Sequence, residues 1–135
     1  MRAFFLGLIG AVALAGAVAA QDERGAIART IQSQIDAFLA DDFDTAFTFA
    51  SPNIKRMFGS SERFGTMVQQ GYPMVWRPGT VRYLDLEDRA GMLFQKVLIT
   101  DGQGVPHVLE YQMIETPDGW QINGVRILDA PQVGA

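Results

Sequence analysis

GMLFQKVLITDGQGVPHVLEYQMIETPDGWQINGVRIL, residues 91–128, alternates apolar and polar side chains and is interrupted twice by turn-forming residues. Alternation with period two is the signature of strands that bury one face, and regular turn signals between such runs mark antiparallel hairpins. In Thr116-Pro117-Asp118-Gly119, proline presets one turn torsion and glycine permits the reversal; Asp101-Gly102-Gln103-Gly104 reverses the chain in the preceding hairpin. With a further run upstream, strands are predicted near 80–87, 91–100, 105–115 and 120–128.

The turns also predict a register. A centre at Pro117-Asp118 sets Met113 opposite Ile122, Tyr111 opposite Gly124 and Leu109 opposite Arg126. A centre between Gly102 and Gln103 sets Phe94 beside Tyr111, Lys96 beside Leu109 and Leu98 beside His107. One sheet face then carries Met92, Phe94, Lys96, Leu98, His107, Leu109, Tyr111, Met113, Trp120, Ile122, Gly124, Arg126 and Leu128, apolar at one end and basic at the other. A bulge at Gly124 is the alternative, and it turns Val125 and Ile127 inward instead.

Upstream of Tyr72 the period changes. Ile27, Ile31, Ile35, Phe38 and Leu39 fall on one stripe of a helix from about Glu23 to Ala40, with Arg29, Gln32, Ser33 and Asp36 opposite. Asp42 reads as the N-cap of a second helix carrying Phe43, Ala46, Phe47 and Ala50. Ser51-Pro52 opens a short helix to Phe58 that Gly59 closes. Ser60 caps the next full helix, with Phe64, Met67 and Val68 on its apolar face and Gly71 as a left-handed exit. Tyr72 to Pro78 reads as an aromatic loop. Three full N-terminal helices and the short one, followed by about four strands, argue for an α+β domain whose helices cover one face of a curved antiparallel sheet.

The first twenty residues have a separate logic. Arg2 precedes an uncharged run from Ala3 to Ala20 that ends in Val18-Ala19-Ala20, followed by the polar Gln21-Asp22-Glu23-Arg24. That is the layout of a signal peptide cleaved near Ala20, which implies a periplasmic or secreted protein with no membrane segment once processed. An uncleaved anchor is the competing reading, since 18 apolar residues reach the lower edge of a membrane span. Residues 21–135 then form one domain, with a short tail from Ala130 that reads as disordered. This segment carries ten basic and fifteen acidic residues, a formal charge of −5. That balance argues against nucleic acid, which needs a basic face. With no cysteine in the chain, the core alone must hold the domain together.

Four stretches resemble a known family. Ile31-x-x-Gln34-Ile35-x-Ala37-Phe38, Ala46-Phe47-x-Phe49-Ala50-Ser51-Pro52, Phe64-x-x-Met67-Val68-x-x-Gly71-Tyr72 and Asp118-Gly119-Trp120-x-Ile122-x-Gly124-Val125 are similar to the exported bacterial family called domain of unknown function 4864. The resemblance spans nearly all of residues 27–128 and implies an NTF2-like, or cystatin-like, cone. It implies no activity.

Chemistry is suggested only on the predicted sheet face. Lys96 and Arg126 flanking Leu109, with His107 near them and Tyr111 beside them, would form a cationic and aromatic patch, closed by the loop that carries Trp76 and Arg77. The implied ligand is small and anionic or amphipathic. The opposing reading is structural: basic side chains at strand ends reach water, and Tyr111 covers a glycine. No catalytic residue, metal or cofactor is assigned. The lone His107 cannot build a multi-histidine metal centre, and Glu110 lies on the other sheet face, unable to orient it. Asp36 belongs to the polar stripe of its helix, and Asp41, Asp42 and Asp44 bracket a helix start. The readings left open are a non-catalytic domain binding a small ligand or an envelope protein, an isomerase- or cyclase-like enzyme, and a homodimer or partner module using an open apolar sheet face.

Overall fold

The computed structural model describes residues 2–128, with side chains from residue 21 onward. Five helices precede four strands: α1 (Arg2–Leu39), α2 (Phe43–Thr48), α3 (Pro52–Phe58), α4 (Ser61–Gly71), α5 (Pro73–Trp76), β1 (Pro78–Arg89), β2 (Met92–Asp101), β3 (Pro106–Thr116) and β4 (Gly119–Leu128). The strands form one antiparallel sheet in the order β1-β2-β3-β4. The molecule is therefore α+β, with its helices packed on an open four-stranded sheet. The tail from Ala130 lies outside the described residues.

Local chemistry sets most of the helix ends. The helix expected from Glu23 already begins at Arg2. It closes in a Schellman turn: Asp41 N–H donates to Phe38 and Asp42 N–H to Ala37, with Asp41 at φ 53° where glycine is usual. Asp42 then caps α2 by accepting from Thr45 N–H, Ser51 caps α3, and Ser60 caps α4. Gly59 ends α3 at φ 80°. Gly71 does not provide the expected left-handed exit; it is the last residue of α4, and Tyr72 at φ −135° makes the turn. The expected aromatic loop after it contains a single helical turn, α5, with Pro73 at its start.

Core formation follows the stripe on α1. Ile27, Ile31, Ile35 and Phe38 are fully buried against Val97, Ile99, Leu109, Tyr111, Met113 and Ile122 of the sheet. Leu39, read as part of the stripe, is instead 46% exposed at the end of the helix. Phe64 sits amid Phe38, Phe47 and Phe58, with ring centroids 5.2–5.8 Å apart.

The β2–β3 register differs from the expected one by one residue. Residues 102–104 form a three-residue loop: Asp101 and Val105 pair, Gly104 N–H donates to Asp101, and Gly104 takes φ 84°. That is a turn followed by a glycine bulge, a common hairpin closure that adds one residue to a two-residue turn. Lys96 consequently faces Glu110, and Leu109 faces Val97. Because side chains alternate, this slip exchanges the faces of β2 relative to β3. Leu93, Gln95, Val97 and Ile99 point with Leu109 and Tyr111 toward the helices, while Lys96 points the other way. Phe94 and Leu98 change faces with it.

Between β3 and β4 the expected pairing holds from Thr116↔Gly119 to Met113↔Ile122. Asn123 is then an extra residue, and Tyr111 pairs with Val125 while Glu110 pairs with Arg126. A bulge is thus present, at Asn123 and not at Gly124 as in the alternative; it packs Val125 against the core, whereas Ile127 stays 45% exposed. The bulge's location has a cause. Ile122 is held on its outer edge by the α2–α3 junction, accepting from Ser51 N–H and donating to the Phe49 carbonyl.

Candidate functional site

A cavity of about 390 Å³ lies between α3, α4 and the sheet. Ile54, Met57 and Phe58 of α3 form one wall, and Phe64, Met67 and Val68 of α4 another, with Tyr72 and Val75 beyond them. Tyr111, Gly124 and Val125 supply the sheet side, and Gln34 and Phe38 of α1 complete the lining. Met57 is 71% exposed and marks the rim. The size is at the low end of ligand cavities, which run from roughly 300 to 1,000 Å³ and are mostly apolar.

Each wall is fixed by a specific contact. Ser51 Oγ accepts from Ile54 N–H at 3.3 Å and donates to Asn123 Oδ1 at 2.7 Å, which ties the start of α3 to the β4 bulge. The Tyr72 hydroxyl donates to the Val125 carbonyl at 2.9 Å and so binds the end of α4 to β4. Gln34, 3% exposed, donates Nε2 to the Ala46 carbonyl at 3.1 Å. The Tyr111 hydroxyl is buried and makes no hydrogen bond among the described residues. Burial, and secondarily the neighbouring Tyr83 and Tyr72, pushes its pKa far above the usual tyrosine value.

Of the five residues singled out in the sequence, the structure brings only Tyr111 to this cavity. Lys96 and Arg126 lie on the opposite sheet face, so the expected cationic patch beside Tyr111 does not form. The reason is the extra residue at Gly104 in one hairpin and at Asn123 in the other. There they serve an ion network: Arg89 Nη2 and Arg126 Nη2 reach Glu110 at 2.6 and 2.9 Å, and Lys96 Nζ reaches Glu87 at 3.0 Å. Glu110, whose side chain is 1% exposed, is held below the usual glutamate pKa by hydrogen bonding from Arg89 first and then Arg126, against the opposing cost of burial.

His107 remains on the helix-facing side but at the far end of β3. Its Nε2 lies 3.0 Å from Asp101 Oδ2, and Asp101 Oδ1 accepts from Gln103 and Val105 N–H. The pair staples the β2–β3 turn. Trp76 donates Nε1 to Asp41 Oδ1 at 2.9 Å, and Arg77, stacked 4.2 Å from the Trp76 ring, binds the Asp41 carboxylate with two hydrogen bonds. Asp41 is therefore an anchor for α5, not only part of a helix start. Asp44 accepts from Ser61, which ties α2 to α4. Asp36 is exposed and accepts from Gln32.

In the sequence Phe64, Met67 and Val68 read as the apolar face of their helix and Phe58 as the end of a short one, and Gln34 was not singled out as a cavity residue. One signal was available: Gln34 is a polar residue inside the Ile31–Ile35–Phe38 stripe, where a buried amide needs a partner or a function. Met57 left no trace, because an exposed methionine on a seven-residue helix looks like any surface residue.

Among the described residues, no helix is long and apolar enough to cross a membrane, and no group of His, Asp and Glu is placed to hold a metal ion. No curated protein and no solved structure matches the chain. A family model described as Domain of unknown function (DUF4864) matches residues 20–135, and the chain belongs to that family.

Proposed function

We propose that this is an exported, non-catalytic binding domain that takes a small, mainly apolar ligand into the cavity between α3, α4 and the sheet. The observation that carries the reading is the cavity itself. In a domain with no disulfide, cores close to high density, and leaving an apolar space of this size unfilled forgoes packing energy. Ligand binding accounts for that sacrifice.

Two features weigh against an isomerase- or cyclase-like enzyme. No carboxylate or histidine lines the cavity among the described residues, and the Asp101–His107 pair is outside it. Proton transfer needs a titratable group within hydrogen-bond reach of the reacting atom. The open face that a homodimer or an envelope protein would use carries the Glu87, Arg89, Lys96, Glu110 and Arg126 network among its apolar residues Phe94, Leu98 and Val108, so it is not a continuous apolar patch.

Export rests on the Arg2 start and the Ala3–Ala20 run of small and apolar residues, and with it the periplasmic or secreted address. The NTF2-like reading is likewise a proposal, supported by helices covering one face of a sheet around an internal space.

The test is to isolate the full chain from the cell envelope fraction, determine its first residue, and extract bound small molecules for mass spectrometry. Hydrophobic compounds should accompany the wild-type protein and be depleted in Met67→Trp, which fills the cavity from its rim. Equal recovery from both proteins rejects the binding role, and a chain starting at Met1 in the cytosol rejects export.

A further inference from the structure

The cavity wall limits the ligand's chemistry, an inference that rests on the binding role just proposed. Among the described residues its polar side chains are Gln34, Tyr72 and Tyr111, and none is charged. The Tyr111 hydroxyl is sealed from the space and takes no part. Gln34 differs. A glutamine amide offers two N–H donors and one oxygen acceptor. Gln34, 3% exposed on the inner stripe of α1, spends only one N–H, on the Ala46 carbonyl at 3.1 Å. Its second N–H and its Oε1 have no partner among the described residues. Nor is Oε1 sealed: among those residues, the side-chain atoms both unpartnered and closed off are the Tyr111 hydroxyl and Gln121 Oε1. The Tyr72 hydroxyl gives its single hydrogen to the Val125 carbonyl, so toward a ligand it too can only accept. The wall thus holds one free donor and more acceptors than donors, and a buried acceptor left unmatched costs free energy that a ligand donor recovers. A carboxylate brings no donor and would lose its water with no cation to replace it. An ammonium group brings donors but meets no carboxylate.

We propose that the cavity selects an uncharged, mainly hydrocarbon molecule whose polar end both donates and accepts a hydrogen bond, a hydroxyl or a carboxamide. Gln34 Oε1 takes its hydrogen and the free Gln34 N–H meets its oxygen. The bond to Ala46 ties the amide between α1 and α2 and so fixes its orientation before a ligand arrives. The anionic half of the range expected from the sequence is dropped, because Lys96 and Arg126 point away from this space.

Displacement of a neutral fluorophore, N-phenylnaphthylamine, from the full-length protein at neutral pH measures this. The competitors are 1-octanol, its isomer 1-methoxyheptane, which accepts but cannot donate, octane and octanoate, with the fluorophore's own Kd determined for each variant. Gln34→Met keeps the length of the side chain and removes the amide, and comparing each competitor between wild type and variant cancels its hydrophobicity. 1-Octanol should lose more affinity than 1-methoxyheptane by about two- to tenfold, the range one net hydrogen bond supplies, and octane should lose none. Octanoate should be weakest in wild type. Since Gln34→Met also strips the Ala46 carbonyl of its donor, NMR of the wild-type protein gives a second reading that needs no variant. There 1-octanol should move the Gln34 side-chain amide resonances well beyond the movement octane causes. Equal losses of 1-octanol and 1-methoxyheptane in Gln34→Met, Gln34 resonances that respond alike to 1-octanol and octane, or octanoate binding as tightly as 1-octanol overturns the assignment and leaves the cavity a binding site. Failure of every compound to bind, or fluorophore binding unchanged in Met67→Trp, overturns both the assignment and the binding role.

Discussion

Glu110 and Arg126 stand directly opposite each other across β3 and β4, with Arg126 Nε 3.0 Å from Glu110 Oε1, on the sheet face away from the helices. Arg89 closes over the same carboxylate from β1, so a glutamate on an open sheet face becomes almost completely buried under two arginines. Its neighbours Glu87 and Lys96 extend the pairing to one continuous network. The arrangement joins β1, β2, β3 and β4 without hydrophobic cover.

This network predicts an acid-sensitive sheet. Arg89 and Arg126 lower the pKa of Glu110 in the folded state, so between that value and the ordinary one near 4.5 the unfolded chain binds more protons. The stabilisation is complete above about pH 5 and is lost as pH falls through the depressed folded value. Glu110→Gln should flatten that region of a stability-against-pH curve. At neutral pH Glu110→Ala should cost about 1–3 kcal/mol, less than for a fully enclosed pair, because the arginines are 40% and 66% exposed and can be rehydrated. Urea titrations at several pH values check both.

Gly65 on α4 should not tolerate a methyl group. A Cβ there would stand 2.6 Å from Phe43 Cδ1 and 2.8 Å from its Cγ, so the ring base, not a flexible tip, has to move. Gly65→Ala gains helix propensity but overpacks the α2–α4 contact, and the net should be a loss of about 1–3 kcal/mol. Gly71→Ala, at the end of the same helix with nothing within 4 Å, is the control and should be near neutral. Thermal melts of the two variants distinguish packing from propensity.

The β2–β3 hairpin depends on one backbone torsion. Gly104 at φ 84° completes the three-residue loop that sets Lys96 opposite Glu110. Its surroundings are empty, so a side chain there meets strain and no collision. Gly104→Val should cost about 1–2 kcal/mol from the left-handed conformation alone. Gly102→Val, whose φ is not positive, should cost less. Comparing the two by chemical denaturation isolates the torsion.

That loop also marks where the sequence stopped being readable. Apolar spacing located α1 and its buried isoleucines, and residues with a single chemical purpose, Asp42, Ser51, Ser60 and Gly59, located helix ends. A hairpin turn is less determinate. Asp101-Gly102-Gln103-Gly104 suits a two-residue or a three-residue closure, and only the positive φ of Gly104 chooses the longer one. One residue then moves Lys96 to the opposite face. The candidate patch failed with the register, whereas Tyr111 kept its inward position because alternation within β3 is independent of its neighbours. The cavity was out of reach for a different reason: whether Phe58, Phe64 and Val68 touch each other or surround a space depends on how α3 and α4 are set on β4, and that is a property of distant contacts.

Ser51 is the contact that sets α3. Fully buried, it accepts from Ile54 N–H as the helix cap, donates to Asn123 at the β4 bulge, and its own N–H is held by the Ile122 carbonyl. Ser51→Ala keeps the backbone bond but removes the cap and leaves Asn123 Oδ1 without this donor, a combined cost of about 1–2 kcal/mol. Since α3 contributes Ile54, Met57 and Phe58 to the cavity, its freedom should rise before the whole domain unfolds. Hydrogen exchange should show faster exchange of the α3 amides in Ser51→Ala, with the β2 and β3 amides changed only by the global loss in stability. Uniform acceleration across the chain would mean that α3 has no separate motion and that the cavity wall opens only when everything does.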